Sequence, residues 1–246
     1  MLRNFALTAG LIALSLTAAC AQDTGEVTPE RAATEEIIRE YILANPEIVE
    51  EALYALEAKR AQAEEDAKRV AVNANAELIF SSDADYSIGP ADAPVTVVEF
   101  FDYRCGPCRA SMATVNALPD RYKGQVRVVF KEFPILSTES RLATLAALAA
   151  GRQGKYVEMH QGLMLSPSPE EKDIVKIAED IGLDMATWRK DREDKAFREQ
   201  VDRTHFLAQT IGANATPTFI IGDTLFSGLD PNKLETLIAE GIAKAG

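Results

Sequence analysis

Two of the three cysteines in this 246-residue chain stand three residues apart, in the run Val97-Val98-Glu99-Phe100-Phe101-Asp102-Tyr103-Arg104-Cys105-Gly106-Pro107-Cys108. A bridge between Cys105 and Cys108 closes too small a loop to restrict the unfolded chain, so it is nearly worthless as a structural staple. A pair at this spacing suits thiol chemistry or a soft metal instead. An apolar run ending just before Cys105 and a helical pattern after it place Cys105 at a helix N-terminus. Unpaired N–H groups and the helix dipole there favour a thiolate, which makes Cys105 the attacking sulfur. Cys108, one turn further in and less exposed, reads as the resolving thiol that displaces Cys105 from a mixed disulfide. Gly106 and Pro107 complete the motif, and Pro107 falls where the first helical turn needs no N–H.

Glu99 lies six residues before Cys105 inside an apolar strand. An outward-facing glutamate is the bland reading, but Val97, Val98, Phe100 and Phe101 leave no polar face for it to share. A buried carboxyl with a raised pKa would carry a proton to or from Cys108 during exchange. The alternative chemistry is a Cu(I) site on Cys105 and Cys108, since reduced thiolates suit a soft ion. Zinc is disfavoured: a structural site wants four ligands, and His160 and His205 sit in helical segments without paired spacing. Both histidines, with Met159 and Trp188, read as packing or surface residues. Asp102, Tyr103, Arg104 and Arg109 flank the pair; they read either as ordinary exposed residues or as groups shaping contacts and reactivity.

The elements that must position these residues follow from patterning. Val95 to Phe101 is a strand buried on both faces, Cys105 to about Leu118 a helix, and Gln125 to Phe133 the next strand, which makes a βαβ unit with a parallel pair. Residues from about 137 to 211 are helical in pattern, broken by Gly and Pro. Thr218 to Ile221 and Thr224 to Phe226 form a hairpin about Gly222-Asp223, and a last helix starts at Pro231. Thr28 and Pro29 open an N-terminal helix, Asn45-Pro46 breaks it, and a second helix reaches about Phe80. On that second helix Val49, Leu53, Leu56, Arg60, Ala63, Ala67 and Val70 repeat in steps of four and three. Such a seam must dock on the main domain or on another copy of itself; dense charge from Glu57 to Arg69 favours self-association.

Met1 to Ala21 contains Arg3, a run of apolar and small residues and no acid, the composition of a secretory signal peptide. Ala19-Cys20-Ala21 fits a cleavage site that discards Cys20; a lipid-anchored Cys20 is the alternative. The expected organisation is residues 1–21 as signal peptide, 22–82 as a helical oligomerisation segment, and 83–246 as the catalytic domain. The chain carries 26 Lys+Arg against 38 Asp+Glu, which argues against sequence-independent binding to nucleic acid.

Cys-Gly-Pro-Cys after VVEFF, Glu99 upstream, the helical insertion, and Ala215-Thr216-Pro217-Thr218-Phe219 before the hairpin resemble the thioredoxin superfamily, within it the DsbA-like secreted thiol oxidoreductases. The charged helical N-terminus, Gly89-Pro90-Ala91-Asp92-Ala93-Pro94, and Lys131-Glu132-Phe133-Pro134-Ile135-Leu136 resemble its ScsC and Com1 branch, of the suppressor-of-copper-sensitivity type. The resemblance implies an α/β thioredoxin fold with a DsbA-like helical insertion and a cis Thr216-Pro217 peptide whose backbone binds substrate. It also implies periplasmic location, cysteine-containing secreted proteins as substrates, no cofactor, and a homo-oligomer, a trimer rather than a dimer. Gly106-Pro107 resembles the pair of reducing thioredoxins. Together with Thr216 before the proline it implies a reductase or isomerase kept reduced by a redox partner, with a dithiol oxidase as the alternative.

Overall fold

The computed structural model describes residues 28–245. The expected signal peptide, its cleavage site and Cys20 lie outside the described residues. The described residues up to Ala58 and those from Lys59 onward form two compact units.

Helix α1 (Pro29–Ala44) starts as its capping residues dictate, with the Thr28 hydroxyl accepting the Arg31 N–H at 3.3 Å. Asn45 ends it, and α2 (Glu47–Ala74) follows. The apolar residues of the seam stand exposed: Val49, Leu53, Leu56 and Val70 are 42 to 69% accessible. The second helix does not run unbroken to Phe80. Asn75 turns its side-chain amide back onto the Ala71 carbonyl at 2.8 Å, competing with the helical ladder, and a separate α3 (Ala76–Phe80) begins after it.

The sheet forms from residues 86 to 227. Its strands are β1 (Tyr86–Ile88), β2 (Val95–Phe101), β3 (Val126–Glu132), β4 (Thr218–Ile221) and β5 (Thr224–Ser227), in the order β1-β3-β2-β4-β5. β2 and β3 run parallel in a register that sets Phe101 against Glu132, and the remaining pairs are antiparallel. Between β2 and β3 lie α4 (Gly106–Asn116) and the short α5 (Leu118–Arg121). Between β3 and β4 the helical insertion comprises α6 (Thr138–Gly151), α7 (Tyr156–Leu165), α8 (Glu171–Asp180), α9 (Met185–Asp191) and α10 (Lys195–Ile211); α11 (Pro231–Ala245) closes the chain.

Strand alternation divides the core. Val97 and Phe101 of β2 face one cluster, which includes Cys108, Phe130, Met159, Trp188 and Phe219. Val98 and Phe100 face the other, against Val72, Ile79, Leu207 and Ile211. Both faces of β2 are therefore covered, and each large apolar side chain buried there contributes about 1.5–3 kcal/mol. Glu99 shares its face with Val97 and Phe101, the face that carries Cys108. Trp188 is wholly buried and donates its ring N–H to the Ala146 carbonyl at 3.0 Å, an α6 to α9 tie inside the insertion.

Candidate active site

The site forms where β2 ends and α4 begins. Cys105 is the N-cap of α4 with extended backbone (φ −72°, ψ 114°), and its Sγ accepts the Cys108 N–H at 3.3 Å. A sulfur in this position satisfies one of the orphan donors of the first turn, and it does so best as a thiolate. Across the site the peptide between Thr216 and Pro217 is cis, and the Cys105 Sγ donates to the Thr216 carbonyl at 3.2 Å. Both cysteines are free thiols.

The two thiols are driven apart in acidity. Cys105 is lowered from its ordinary 9.0 to about 6, chiefly by a hydrogen bond from the Cys108 side chain, with the Thr216 side chain and the Cys108 N–H adding to it against the opposing effect of burial. Cys108 is pushed strongly upward, first by burial and then by its bond to Cys105. Such a pair suits one sulfur to nucleophilic attack and the other to keeping its proton.

Glu99 is 2% exposed and is raised from 4.5 to about 8, mostly by burial; the negative charge of Cys105 pushes the same way. Its one side-chain partner is the hydroxyl of Ser111, at 3.2 Å, which opposes the shift. Ser111 also donates to the Cys108 carbonyl at 2.8 Å, so a single hydroxyl stands between the carboxyl and the turn bearing the second thiol.

The residues flanking the pair are not all surface residues. Asp102 and Tyr103 are wholly buried. Asp102 accepts from the Arg104 N–H (2.7 Å), the Ser140 hydroxyl (2.7 Å), and the Ile135 and Leu136 N–H groups (2.9 and 3.0 Å), and so holds the turn before Cys105 to the loop after β3. Arg109 donates to the Met164 and Pro167 carbonyls, at 3.1 and 2.9 Å, and ties α4 to the end of α7. Tyr103 donates to Glu132, which also accepts from Tyr156 and Thr144, at 2.8 to 2.9 Å. Burial raises Glu132 to about 8 despite these three donors. His160 packs into this group 3.3 Å from the Tyr103 hydroxyl, and burial lowers it to about 3, so it is a packing residue carried neutral. His205 lies against the Phe133 ring at 4.9 Å. Asp102 flanks the pair in the sequence, but its partners Ile135, Leu136 and Ser140, like those of Glu132, sit far along the chain, so local pattern does not show that either acid is buried.

No group of three or more histidine, cysteine or acidic side chains is arranged to hold a metal among the described residues, and none of their helices is long and apolar enough to cross a membrane.

Residues 81–240 match the family model described as Thioredoxin. The chain belongs to the thioredoxin family. Residues 30–63 of this thioredoxin-family chain also match the copper resistance protein ScsC N-terminal domain. Its similar solved structures include a thioredoxin-like oxidoreductase from Silicibacter pomeroyi DSS-3 (37% identity, TM-score 0.65, covering 69% of this chain and 98% of that one). Proteus mirabilis ScsC in a transitional conformation is 26% identical with a TM-score of 0.65, covering 87% of this chain and 98% of that one. A Bacillus cereus protein named "Probable disulfide bond formation protein D" is 30% identical over 167 residues, 60% of this chain and 74% of that one. The chain also matches NhaA sodium/proton antiporters but spans about a quarter of their length; for NhaA 3 of Salinispora tropica the match is 32% identical over 161 residues, 64% of this chain and 24% of the antiporter. The chain is thus a ScsC- and DsbA-like member of the thioredoxin superfamily.

Proposed function

We propose that this protein reduces and isomerises disulfides of secreted proteins. The Cys105 thiolate attacks one sulfur of a substrate disulfide; a mixed disulfide forms and the other substrate sulfur leaves as a thiolate. In isomerisation that thiolate attacks elsewhere in the substrate and Cys105 is released. In reduction Cys108 loses its proton, attacks Cys105 and frees the substrate as a second thiol, leaving a Cys105–Cys108 disulfide that a redox partner must reduce. Glu99 takes up or returns the proton of Cys108 through the Ser111 side of the site. Thr216 and Pro217 bind the extended substrate chain: when Cys105 ionises, the Thr216 carbonyl loses the thiol proton it accepted and becomes free for a substrate N–H.

The observation that carries this reading is the opposed acidity of two thiols one turn apart, with Cys105 lowered to about 6 and Cys108 raised. Isomerisation needs Cys105 free as a thiolate and a substrate kept near it. We assign the second requirement to self-association, as a trimer, through the exposed stripe Val49, Leu53 and Leu56, which raises the effective concentration of active sites around one unfolded chain. The match of residues 30–63 to the ScsC N-terminal domain supports that assignment. Export follows from residues 1–21 as signal peptide, with residues 22–82 as the assembling segment and 83–246 as the catalytic domain, working in the periplasm; the end of the assembling segment, with Val72 and Ile79, also completes the core beneath β2.

The test is recovery of activity from a scrambled multi-disulfide substrate by the mature chain and by a shortened one. The shortened chain should begin at Lys59, because Val72 and Ile79 are wholly buried in the core beneath β2 and a cut at Asp83 would remove both. Unscrambling by the full chain alone is the expected result. If neither unscrambles and both oxidise a reduced substrate, the protein is a dithiol oxidase and the proposal fails.

A further inference from the structure

The turn that delivers Cys105 to the site carries a second buried acid, three residues before it. Asp102 is wholly inaccessible, and four donors converge on its two oxygens: Arg104 N–H and Ser140 Oγ on one, Ile135 and Leu136 N–H on the other. Three of the four are backbone N–H groups, which can only donate, and both oxygens receive at least one of them; that surrounding favours the carboxylate anion, with the Ser140 hydroxyl as a fourth partner. All four donors are neutral, so the negative charge is solvated by dipoles without being cancelled. The Asp102 backbone carbonyl accepts the Cys105 N–H at 3.0 Å, which fixes the carboxylate and the nucleophile on one short turn. In a buried turn a nearby charge is screened far less than it would be in water.

We propose that Asp102 sets how reducing the Cys105–Cys108 pair is: its buried carboxylate opposes the Cys105 thiolate, disfavours the reduced form, and so drives the pair's electrons toward a substrate disulfide. This rests on the oxidoreductase reading above. The titratable groups that interact with Cys105 are Cys108, Glu99 and Asp102; the Asp102 carboxylate is felt by Cys105, Tyr103 and Glu132, and the Asp102 backbone by Cys108. Cys108 works in favour of the Cys105 thiolate, whereas Asp102 works against it. The acidity of Cys105 is thus a compromise: burial is the larger opposing effect and the Asp102 charge adds to it, and together they hold the thiol short of the strongly acidic nucleophile that stabilises the reduced form and makes a disulfide strongly oxidising.

Glutathione reads the balance directly. The Cys105 thiolate attacks oxidised glutathione, forming a mixed disulfide and expelling one glutathione thiolate. Cys108 then gives up its proton, attacks Cys105 and expels the second. One protein dithiol and one glutathione disulfide become one protein disulfide and two reduced glutathiones, a two-electron exchange with a measurable equilibrium constant.

The experiment measures that constant, together with the pH dependence of Cys105 alkylation, in the full chain and in D102N, D102S and S140A. D102N removes the charge. D102S does so with a smaller side chain that still offers an oxygen to the Arg104 N–H and does not crowd the two loop amides, which guards against misfolding of the first variant. Either neutral variant is expected to lower the alkylation pKa and raise the reduced fraction at fixed glutathione ratio, a shift of roughly three- to tenfold in the equilibrium constant. S140A keeps the charge and drops one donor; it should lose thermal stability without a fall in alkylation pKa. If S140A lowers that pKa as the neutral variants do, Asp102 acts only by holding the loop and the proposal is overturned. A wild type that exchanges, beside neutral variants with unchanged or opposite constants, overturns the role of Asp102 alone. A wild type that does not exchange with glutathione overturns the oxidoreductase reading and the role of Asp102 with it.

Discussion

The Sγ of Cys105 and the carbonyl oxygen of Thr216 meet at 3.2 Å across 111 residues of sequence. That contact joins the start of α4 to the strand-entry turn before β4, and the parallel and antiparallel neighbours of β2 make it possible: β2 delivers Cys105 and β4, its antiparallel partner, delivers Thr216 to the same end of the sheet. The thiol proton occupies the Thr216 carbonyl oxygen, so ionisation of Cys105 and the freeing of that oxygen are one event.

The acidity of Cys105 predicts its reactivity profile. With a pKa of about 6, the group is mostly protonated below that pH and roughly nine-tenths thiolate at pH 7. Alkylation of the reduced protein by iodoacetamide should rise with pH to a plateau with its midpoint near 6, at one site. C105S should abolish this phase, whereas C108A should leave a single reactive thiol with a higher midpoint, because the largest stabilising bond to Cys105 comes from Cys108. A wild-type midpoint above 8 would contradict the arrangement.

Glu99 should matter for resolution rather than attack. It is buried on the Cys108 face of β2 and holds its proton up to about pH 8. In E99Q the first step, formation of a mixed disulfide, should keep its rate, while release through Cys108 slows roughly tenfold or more and the mixed disulfide accumulates. Rapid acid quench and mass measurement separate the two steps. Equal slowing of both would assign Glu99 to the shape of the site instead of to proton transfer.

Much of this was legible from local pattern. The cysteine pair is separated by one turn, Glu99 breaks an apolar strand, and the strands of the βαβ unit and hairpin show the periods that burial imposes. What escaped was held by partners far along the chain. Glu132 finds Tyr156 24 residues away and Tyr103 29 residues away, so its own strand shows only a charge in an alternating run. Lys131 beside it is equally buried, paired with Asp85 from before the sheet begins. β1 is three residues long, too short for a period to declare itself; its Tyr86 earns its place by stacking on Tyr156 at 4.1 Å. The break at Asn75 rests on one side-chain hydrogen bond that competes with a helix the surrounding residues would otherwise continue.

The Tyr86 stack makes Gly151 costly to replace. A Cβ at this position would overlap the Tyr86 phenol ring, which could move away only by giving up its stack on Tyr156. G151A should destabilise the fold by about 1–3 kcal/mol, read as a drop in the denaturation midpoint with the slope unchanged. Y86L in the same background should recover part of the loss.

Glu132 predicts a pH dependence of stability with a definite sign. Burial raises it from 4.5 to about 8, so the folded chain binds a proton that the unfolded chain releases above about 4.5. Between those values the unfolded state holds fewer protons, and stability falls as pH rises, by at most about 1.4 kcal/mol per pH unit for this one group. Glu99 contributes with the same sign, while Cys105, whose folded pKa is lowered, adds stability as pH rises above 6. E132Q isolates the first effect: its amide oxygen still accepts from the Tyr103 and Tyr156 hydroxyls, its N–H can donate to the Thr144 hydroxyl instead, and it cannot ionise. Wild type minus E132Q stability, from urea denaturation at intervals from pH 5 to 8, should decline steadily across the range. A flat difference would mean that Glu132 carries its charge in the fold and that its three hydroxyl donors outweigh its burial.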